Sequence, residues 1–532
     1  ESFRNPLVAP TQRFDNGYTV GRDAGRLLIS APTAVLQGQV DTVAFQGAQQ
    51  TRRPDQEQEG YAQAQTAAAR NAQLWLGRFD NSGRSAVFDS NVRIGALQAD
   101  TRPWTLQAPV GEAQRDTVWL DSEVLSAQRW GQVDLASAGR IDLDGTLRLQ
   151  EGGRLGLTAS RVNFGGTVQI AGGQVEAGNL LAALGGPTAL LTSGRGAVDV
   201  AAGARIDLGG GWGNALAAPD GGPAQASIDG GQVRFNSSHD IHVGERAEIL
   251  VDAGGAIDAS GKGRVGKGGS VSLLAASTEV GTDGSGRIRI GEDARFSALG
   301  NGSGNFTLAT GGVVSIGAPG TDASAASLRL QPALFRSGFA GYDIAGHNGL
   351  TVEEGTQLQV ERPALRLAEG AQQALAREQG VQAWTPSLYE ADPASGRVSQ
   401  RGGASLALRA GHLLSTADLR VGKGARIEVD AGQSIELFSA GNLDVAGGLK
   451  AAGGRIRLDE AFDPSGVRGD ARRERQWTIA EGALLDVSGD SVSLPDARRT
   501  LRGQVRKGGT IEIGGALDWE DQDNVRHLPP DT

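Results

Sequence analysis

The sequence lacks cysteine, methionine and any long apolar run. Without cysteine, the 532-residue chain has no disulfides, thiolate metal sites or cysteine nucleophiles. Nowhere do about 18 uncharged apolar residues follow one another, so we expect no membrane-spanning helix. The net charge of −10 gives no general attraction to nucleic acid, which proteins bind through lysine and arginine. The lack of methionine, with Glu1 at the start and no signal peptide, leads us to expect a processed piece of a longer protein.

Glycine is the abundant residue, at 81 of 532, roughly twice the usual share of about 7%. Many of these glycines open a recurring phrase, Gly-Gly followed by alternating apolar residues. This phrase occurs at 152–159, 230–237, 268–275, 311–318, 453–460 and 508–515. A second phrase, in which an apolar and an acidic residue precede a glycine, occurs at 141–145, 206–210, 257–261, 427–432 and 485–489. Each phrase predicts a short strand of period two that ends at a glycine turn.

Repetition of strand-and-turn units predicts a repeat architecture. Helical solenoids need longer segments with a 3.6-residue period, and most of the chain has none. Propellers need a fixed blade of about 40–45 residues, whereas the spacings here vary. Separate antiparallel sandwiches are a further arrangement, although Asn-Gly and Asp-Gly hairpin signals are sparse. We therefore predict an all-β chain that forms a right-handed parallel β-helix with irregular, partly helical insertions.

The repeat phrases thin out in three regions, and these regions divide the chain. We predict β-helix coils at 1–47, 131–360, 401–460 and 481–532, an aromatic-rich insertion or lateral extension at 48–130, a partly helical insertion at 361–400, and a charged loop at 461–480. Within the first insertion, residues 61–76 are rich in alanine and glutamine, which predicts a short helix.

The alternation also predicts which side chains face the core. The expected inward residues are Ile141, Leu143, Leu147, Ile206, Leu208, Val271, Leu273, Ile427, Val429, Ile511 and Ile513. Acidic residues that follow an inward residue should face outward, because burying an unpaired carboxylate costs several kcal/mol. These are Asp142, Asp207, Asp258, Glu428 and Asp486.

Tryptophans in the first insertion are candidates for a recognition surface. They are Trp75, Trp104, Trp119 and Trp130. Exposed aromatic rings can stack on sugars or anchor a protein partner. The alternative is that these rings pack the insertion against the coils.

An integrin-type tripeptide, Arg468-Gly469-Asp470, lies in the charged loop. The same residues also read as a solvated turn in an arginine-rich stretch, so both interpretations stay open. His239 and His242 would face opposite sides of a strand and do not readily share one ion, so we predict no metal site and no cofactor.

Catalysis by clustered carboxylates has little support in the sequence. A polysaccharide hydrolase or lyase needs acidic groups that meet in one groove. The turn-phrase acids are far apart in the chain, and their place beside turns already explains them. We therefore predict that the chain is not an enzyme and keep a β-helical polysaccharide-degrading enzyme as the alternative.

The phrases at 152–159, 268–275, 453–460 and 485–489 resemble those of the filamentous haemagglutinin-like large exoproteins, and 20–40 is similar in style. Gram-negative bacteria export that family by two-partner secretion. The resemblance implies a β-helical shaft at the cell surface or released from it, with roles in adhesion, aggregation, biofilm and virulence. It also implies an outer-membrane transporter as partner of the parent chain. The secretion-domain Asn-Pro motif and a toxin-like end are not found, so we expect an internal or distal fragment.

Together these observations predict a non-enzymatic, secreted or surface-exposed adhesin-like exoprotein fragment. Its rigid shaft would present insertions to a surface glycan, a protein or another copy of itself. No nucleic acid is expected as partner. A further alternative is a passive shaft of a contact-dependent toxin-delivery protein.

Overall fold

A computed structural model of the protein describes most of the chain. The described residues are 20–36, 38–45, 47, 69–81, 83–96, 109, 111–183, 186–190, 196–217, 227–275, 285–318, 327–392, 397–411, 416–460, 476–495, 498–514, 519–520 and 526–527. Regular structure in these residues is almost entirely β-strand, which confirms the all-β prediction. None of their helices combines the length and the apolar character that crossing a membrane requires.

Most strands belong to three stacks of parallel strands. The first stack contains, in chain order, Arg26–Ile29, Gln73–Leu76, Gln132–Leu143, Arg154–Phe164, Gln174–Gly178, Gln232–Asn236, Ser270–Leu274, Asn305–Thr310, Gly341–Gly346, Ser405–Ala410, Ser434–Ser439, Arg455–Glu460 and Thr510–Ile513. Each strand pairs in parallel with the next, so chain order and spatial order agree.

Two long strands, Gln132–Leu143 and Arg154–Phe164, run through two stacks. Their N-terminal halves belong to the first stack and their C-terminal halves to the second. The first part of the second stack adds Ala34–Leu36, Thr117–Asp121, Asn91–Gly95, Gly196–Val200, Asp240–Val243 and Ile288–Ile290. Its second part, which contacts Ile288–Ile290, consists of Ser327–Leu330, Val313–Ile316, Leu350–Val352, Leu419–Val421, Leu443–Val445 and Trp477–Ile479.

The third stack follows the second along the chain. It contains Thr146–Arg148, Thr167–Gln169, Arg205–Asp207, Glu248–Leu250 and Arg295–Ser297, and then Gln357–Val360, Arg426–Val429, Gly448–Lys450 and Leu484–Asp486. A 3-10 turn at Pro332–Arg336 contacts Gln357–Val360. The chain thus visits the three stacks in turn over much of its length.

The remaining described elements belong to none of the three stacks. Antiparallel hairpins are formed by Arg78–Asp80 with Gly83–Ala86, Leu180–Ala183 with Gly186–Ala189, Gly255–Ile257 with Gly263–Val265, Ala364–Leu367 with Val381–Trp384, Tyr389–Asp392 with Arg397–Gln400, Asp490–Pro495 with Leu501–Arg506, and Trp519–Glu520 with Arg526–His527. Trp212–Asn214 adds a parallel strand to Gly255–Ile257. The helices are Ser122–Gln128 and Arg377–Gly380, with further 3-10 turns at Glu112–Gln114 and Ala371–Gln373.

Two of these hairpins meet although they are distant in sequence. Tyr389 donates a hydrogen bond from its hydroxyl to the Asp490 carboxylate, and Arg506 donates to the side-chain oxygen of Gln400. The hairpins Tyr389–Asp392/Arg397–Gln400 and Asp490–Pro495/Leu501–Arg506 therefore form one lateral lobe.

The side chains that face inward from the stacks form one hydrophobic core. Nine predicted inward residues are buried, namely Ile141, Leu143, Leu147, Ile206, Leu208, Val271, Leu273, Ile427 and Val429. Ile511 and Ile513 are instead 39% and 46% exposed, because no further strand of the described chain covers Thr510–Ile513. Of the predicted outward acids, Asp142 is only 7% exposed and pairs with Arg140 at 2.9 Å.

Aromatic rings fill the middle of the core. The Phe306 ring is fully buried and lies 5.2 Å from Phe296 and 5.4 Å from Phe339, between ring centroids. Tyr342 also packs on Phe306, and its hydroxyl accepts a hydrogen bond from the Ser337 backbone. Such rings contribute large buried areas to the core.

Close backbone contact between neighbouring strands explains part of the glycine content. A Cβ on Gly178 would lie 1.8 Å from the carbonyl oxygen of Asn236, and one on Gly269 would lie 1.8 Å from that of Gly231. No side chain fits such a distance without movement of the backbone.

Four sequence-based expectations about single regions can be compared with the structure. Gln73–Leu76 is a first-stack strand, so the helix predicted over 61–76 is wrong there, and 61–68 lie outside the described residues. Region 48–130 also supplies second-stack strands, which differs from a purely lateral insertion. Region 361–400 contains helix in its described part, namely the 3-10 turn Ala371–Gln373 and the single α-helical turn Arg377–Gly380, beside two hairpins. Trp477–Ile479 in the predicted charged loop is a second-stack strand.

Candidate binding cleft on the first stack

The three predicted tryptophans that the structure describes do not come together. Trp75 faces outward from the first stack, and Trp119 lies in the second stack with the Arg93 guanidinium 5.2 Å from its ring. Trp130 is fully buried in the core, and its indole donates to Gln128 at 2.9 Å. Trp130 therefore presents no exposed ring to a partner. Trp104 and the Arg468-Gly469-Asp470 tripeptide lie outside the described residues.

Trp75 is surrounded by cationic and aromatic side chains. The Arg26 guanidinium lies 4.2 Å from its ring and that of Arg84 lies 5.6 Å away, while Phe79 is 6.2 Å from it between centroids. Its indole N–H is buried and has no hydrogen-bond partner among the described residues. Cation–π contacts of this kind hold the ring against the stack.

Beside Trp75, the outward row of the first stack contains a cleft of about 340 Å³. Strand register places Trp75, Asp134, Gly156, Glu176 and Arg234 in this row on successive strands. Because Gly156 has no side chain, a gap remains between Asp134 and Glu176. The hairpin residues Leu180 and Leu181 line the same cleft, so it has a polar floor and an apolar side.

Arginines neutralise both acidic groups of the cleft. Arg84 donates to the Asp134 carboxylate at 2.6 Å and to the Asp134 and Leu76 carbonyls at 3.1 Å. Arg154 donates to Glu176 at 2.6 Å, with its other terminal nitrogen 4.0 Å from Asp134. Arg234 is exposed and lines the cleft. The cleft thus offers both donors and acceptors of hydrogen bonds.

Both acids of the cleft already have arginine partners. Two parallel strand spacings separate Asp134 from Glu176, about 10 Å at 4.8 Å each, which is near the range for inverting glycosidases. Arg84 and Arg154 donate to these carboxylates, so the cleft presents hydrogen-bond donors and acceptors as ion pairs. The cleft therefore suits hydrogen bonding to a polar ligand.

The histidines lie apart from this cleft. His239 contacts the Ser238 hydroxyl at 3.0 Å, and His242 contacts Asp199 at 3.1 Å. In the part of the chain that the structure describes, no group of three or more histidine and acidic side chains is placed to hold a metal ion.

Sequence reasoning identified Trp75 but missed the charged residues around it. Asp134 and Glu176 could have been found, because each lies between two inward residues of a first-stack strand. Arg84 comes from the hairpin Arg78–Asp80/Gly83–Ala86, which has no repeat phrase to reveal its position.

No protein-family model, no curated protein and no solved structure matches this chain.

Proposed function

We propose that the chain is a right-handed parallel β-helix from a filamentous haemagglutinin-like exoprotein, secreted or displayed at the bacterial surface. In this proposal it is a non-enzymatic, adhesin-like shaft. Its partners are a surface glycan, a protein or another copy of itself, and an outer-membrane transporter exports the parent chain. Roles in aggregation and biofilm follow from the same surface.

The observation that supports this proposal most is the register of the first stack. Thirteen strands pair in chain order at about 4.8 Å each, which extends the stack over about 60 Å. A stack in which each strand contacts only its neighbours is a spacer whose length grows with the number of repeats. Function then resides in what the spacer carries on its side.

The lateral elements supply such surfaces. The cleft beside Trp75 offers two ion pairs, the apolar side chains of Leu180 and Leu181, and the exposed Arg234 on a rigid strand row. Rigid presentation reduces the entropy that binding costs. We therefore place adhesion at this cleft.

The test uses beads coated with the purified chain, applied to epithelial cells and to bacteria. Arg234→Gln removes a cleft cation, and Arg289→Gln removes an exposed arginine of the second stack as the matched control. We expect the coated beads to adhere, with adhesion reduced by Arg234→Gln and unchanged by Arg289→Gln.

Two results would overturn the proposal. Beads that fail to adhere to any surface would favour the passive shaft. Release of new reducing ends from a panel of polysaccharides would favour an enzyme that uses Asp134 and Glu176.

A further inference from the structure

A second cleft, of about 330 Å³, lies far from Trp75 in the chain. Its walls are the hairpins Ala364–Leu367/Val381–Trp384 and Tyr389–Asp392/Arg397–Gln400, and residues 300–301 complete it. Three arginines line it, namely Arg362, Arg366 and Arg401. The cleft also contains one acidic residue, the exposed Glu390.

Two of these arginines differ in their partners. Arg401 is 8% exposed at its side chain and binds Asp430 through two nitrogens at 2.8 and 2.7 Å. It also contacts Glu361 at 3.2 Å and the Pro386 carbonyl at 3.0 Å. Arg362 forms no hydrogen bond or ion pair with any residue that the structure describes, and its Nε atom is buried. Arg401 thus binds both acids directly, whereas Arg362 makes no direct ion pair with the described residues and feels only the more distant charge of Asp430.

The Arg362 guanidinium is held in place by packing. A Cβ on Gly402 would lie 1.6 Å from its Nη2 atom, so the guanidinium occupies the space that this glycine leaves. Burial lowers the pKa of Arg362, and the charge of Asp430 opposes this effect only in part. A half-buried cation in a cleft is stabilised by an anion that enters it.

An aromatic ring forms another wall of the cleft. Trp384 lines it, with the Arg366 guanidinium 5.1 Å from its ring. Ser387, Ser399 and Asn301 supply hydroxyl and amide groups on the same cleft. A simple anion would use the cation alone, whereas a sugar ring would also use the indole and these polar groups.

We propose that this cleft binds one unit of an acidic saccharide, with the sugar carboxylate paired to Arg362 and the sugar ring packed against Trp384. The inference rests on the proposed function, because it names a ligand class for one lateral element. Arg362 and Trp384 are its binding residues, and Gly402 positions Arg362.

Titration calorimetry of the full chain tests this inference with glucuronate, glucose, acetate and inorganic phosphate as probes. We expect glucuronate to bind, and glucose, acetate and phosphate to bind at least about tenfold more weakly. Arg362→Gln should weaken glucuronate binding about 10- to 100-fold, as expected for the loss of a charge-assisted hydrogen bond. The control Arg295→Gln, at an exposed arginine of the third stack, should leave it unchanged.

A second variant covers the case in which Arg362→Gln fails to fold. Gly402→Ala keeps every charge but displaces the Arg362 guanidinium, so it should also weaken glucuronate binding. Circular dichroism of each variant checks that the strands are intact.

Several results would overturn the inference. Equal binding of acetate or phosphate would show a simple anion site, and equal binding of glucose would show a neutral sugar site. No heat with glucuronate at about 50 mM, well above millimolar affinity, would show no such site. These outcomes leave the bead adhesion test untouched, so a failure here is distinct from a failure of the proposed function.

Discussion

Strand pairing and the surroundings of the arginines differ between residues 132–178 and residues 364–400. In the first region, strands of successive repeats pair in parallel, and Arg154 meets Glu176 of the next strand. In the second region, strands pair within their own hairpins, and Arg362 beside them makes no direct ion pair with the described residues. Parallel stacking places Arg154 next to Glu176 of the following strand, whereas pairing within a hairpin does not bring an acid into contact with Arg362. The side chains left over in the second region are available to a ligand.

The largest expected effect comes from the core of the stacks. Phe306→Ala should lower the free energy of unfolding by about 3–5 kcal/mol, because it leaves a cavity among the surrounding rings. Trp384→Ala, in a lateral hairpin and partly exposed, should cost about 1 kcal/mol. Urea unfolding followed by circular dichroism measures both. Equal costs would mean that the hairpins are as essential to stability as the stacks.

A smaller effect should separate the two arginines. Arg401→Met leaves Asp430 and Glu361 buried without this partner and should cost about 3 kcal/mol. Arg362→Met removes a cation that makes no direct ion pair with the described residues and should change stability by less than about 0.5 kcal/mol. Thermal unfolding of the two variants compares them. A large loss in Arg362→Met would reveal a stabilising partner and remove the contrast.

Glycine substitutions test the close approach of neighbouring strands. Gly178→Ala should cost about 1–3 kcal/mol, because its methyl group would overlap the carbonyl oxygen of Asn236. Gly25→Ala is the control, since no atom lies within 4 Å of the added carbon. Urea unfolding of both variants measures the difference. A neutral Gly178→Ala would mean that the strands separate easily at this point.

The smallest effect is a dependence of stability on pH. Burial would raise the pKa of Glu361, but hydrogen bonds from Arg336 and Arg401 outweigh it and hold the pKa below the usual value. Glu361 therefore contributes stability above its unfolded pKa of about 4.3, and the contribution is lost as pH falls through the lower native pKa. Unfolding midpoints of the wild type and Glu361→Gln between pH 7 and pH 3 test this. The variant should lose less stability on acidification, and an equal loss in both would contradict the assignment.

Periodicity predicted much of the fold, because one face of each strand must be buried. Val271 and Leu273 could be placed in the core from alternation alone. The helix expected over 61–76 failed at Gln73–Leu76, since pairing with two neighbouring strands outweighs the helix propensity of single residues. The exposure of Ile511 depends on which strands cover it, and no local pattern contains that information.

The clefts were less predictable than the core. Trp75 could be singled out as an aromatic, but its neighbour Arg84 arrives through a hairpin without a repeat phrase. Arg362 makes no direct ion pair with the described residues, and Arg401 is the arginine that contacts both Asp430 and Glu361. Which of the two arginines binds the acids depends on the folded structure, and no local sequence pattern around Arg362 or Arg401 indicates it.

The lateral lobe imposes an order on the assembly of the molecule. Tyr389 and Gln400 reach their partners Asp490 and Arg506 only after about a hundred further residues have been added. The lobe can therefore close only after the intervening strands have placed Asp490 and Arg506 beside the earlier hairpin. A closed lobe therefore indicates that the strands between its two hairpins have formed.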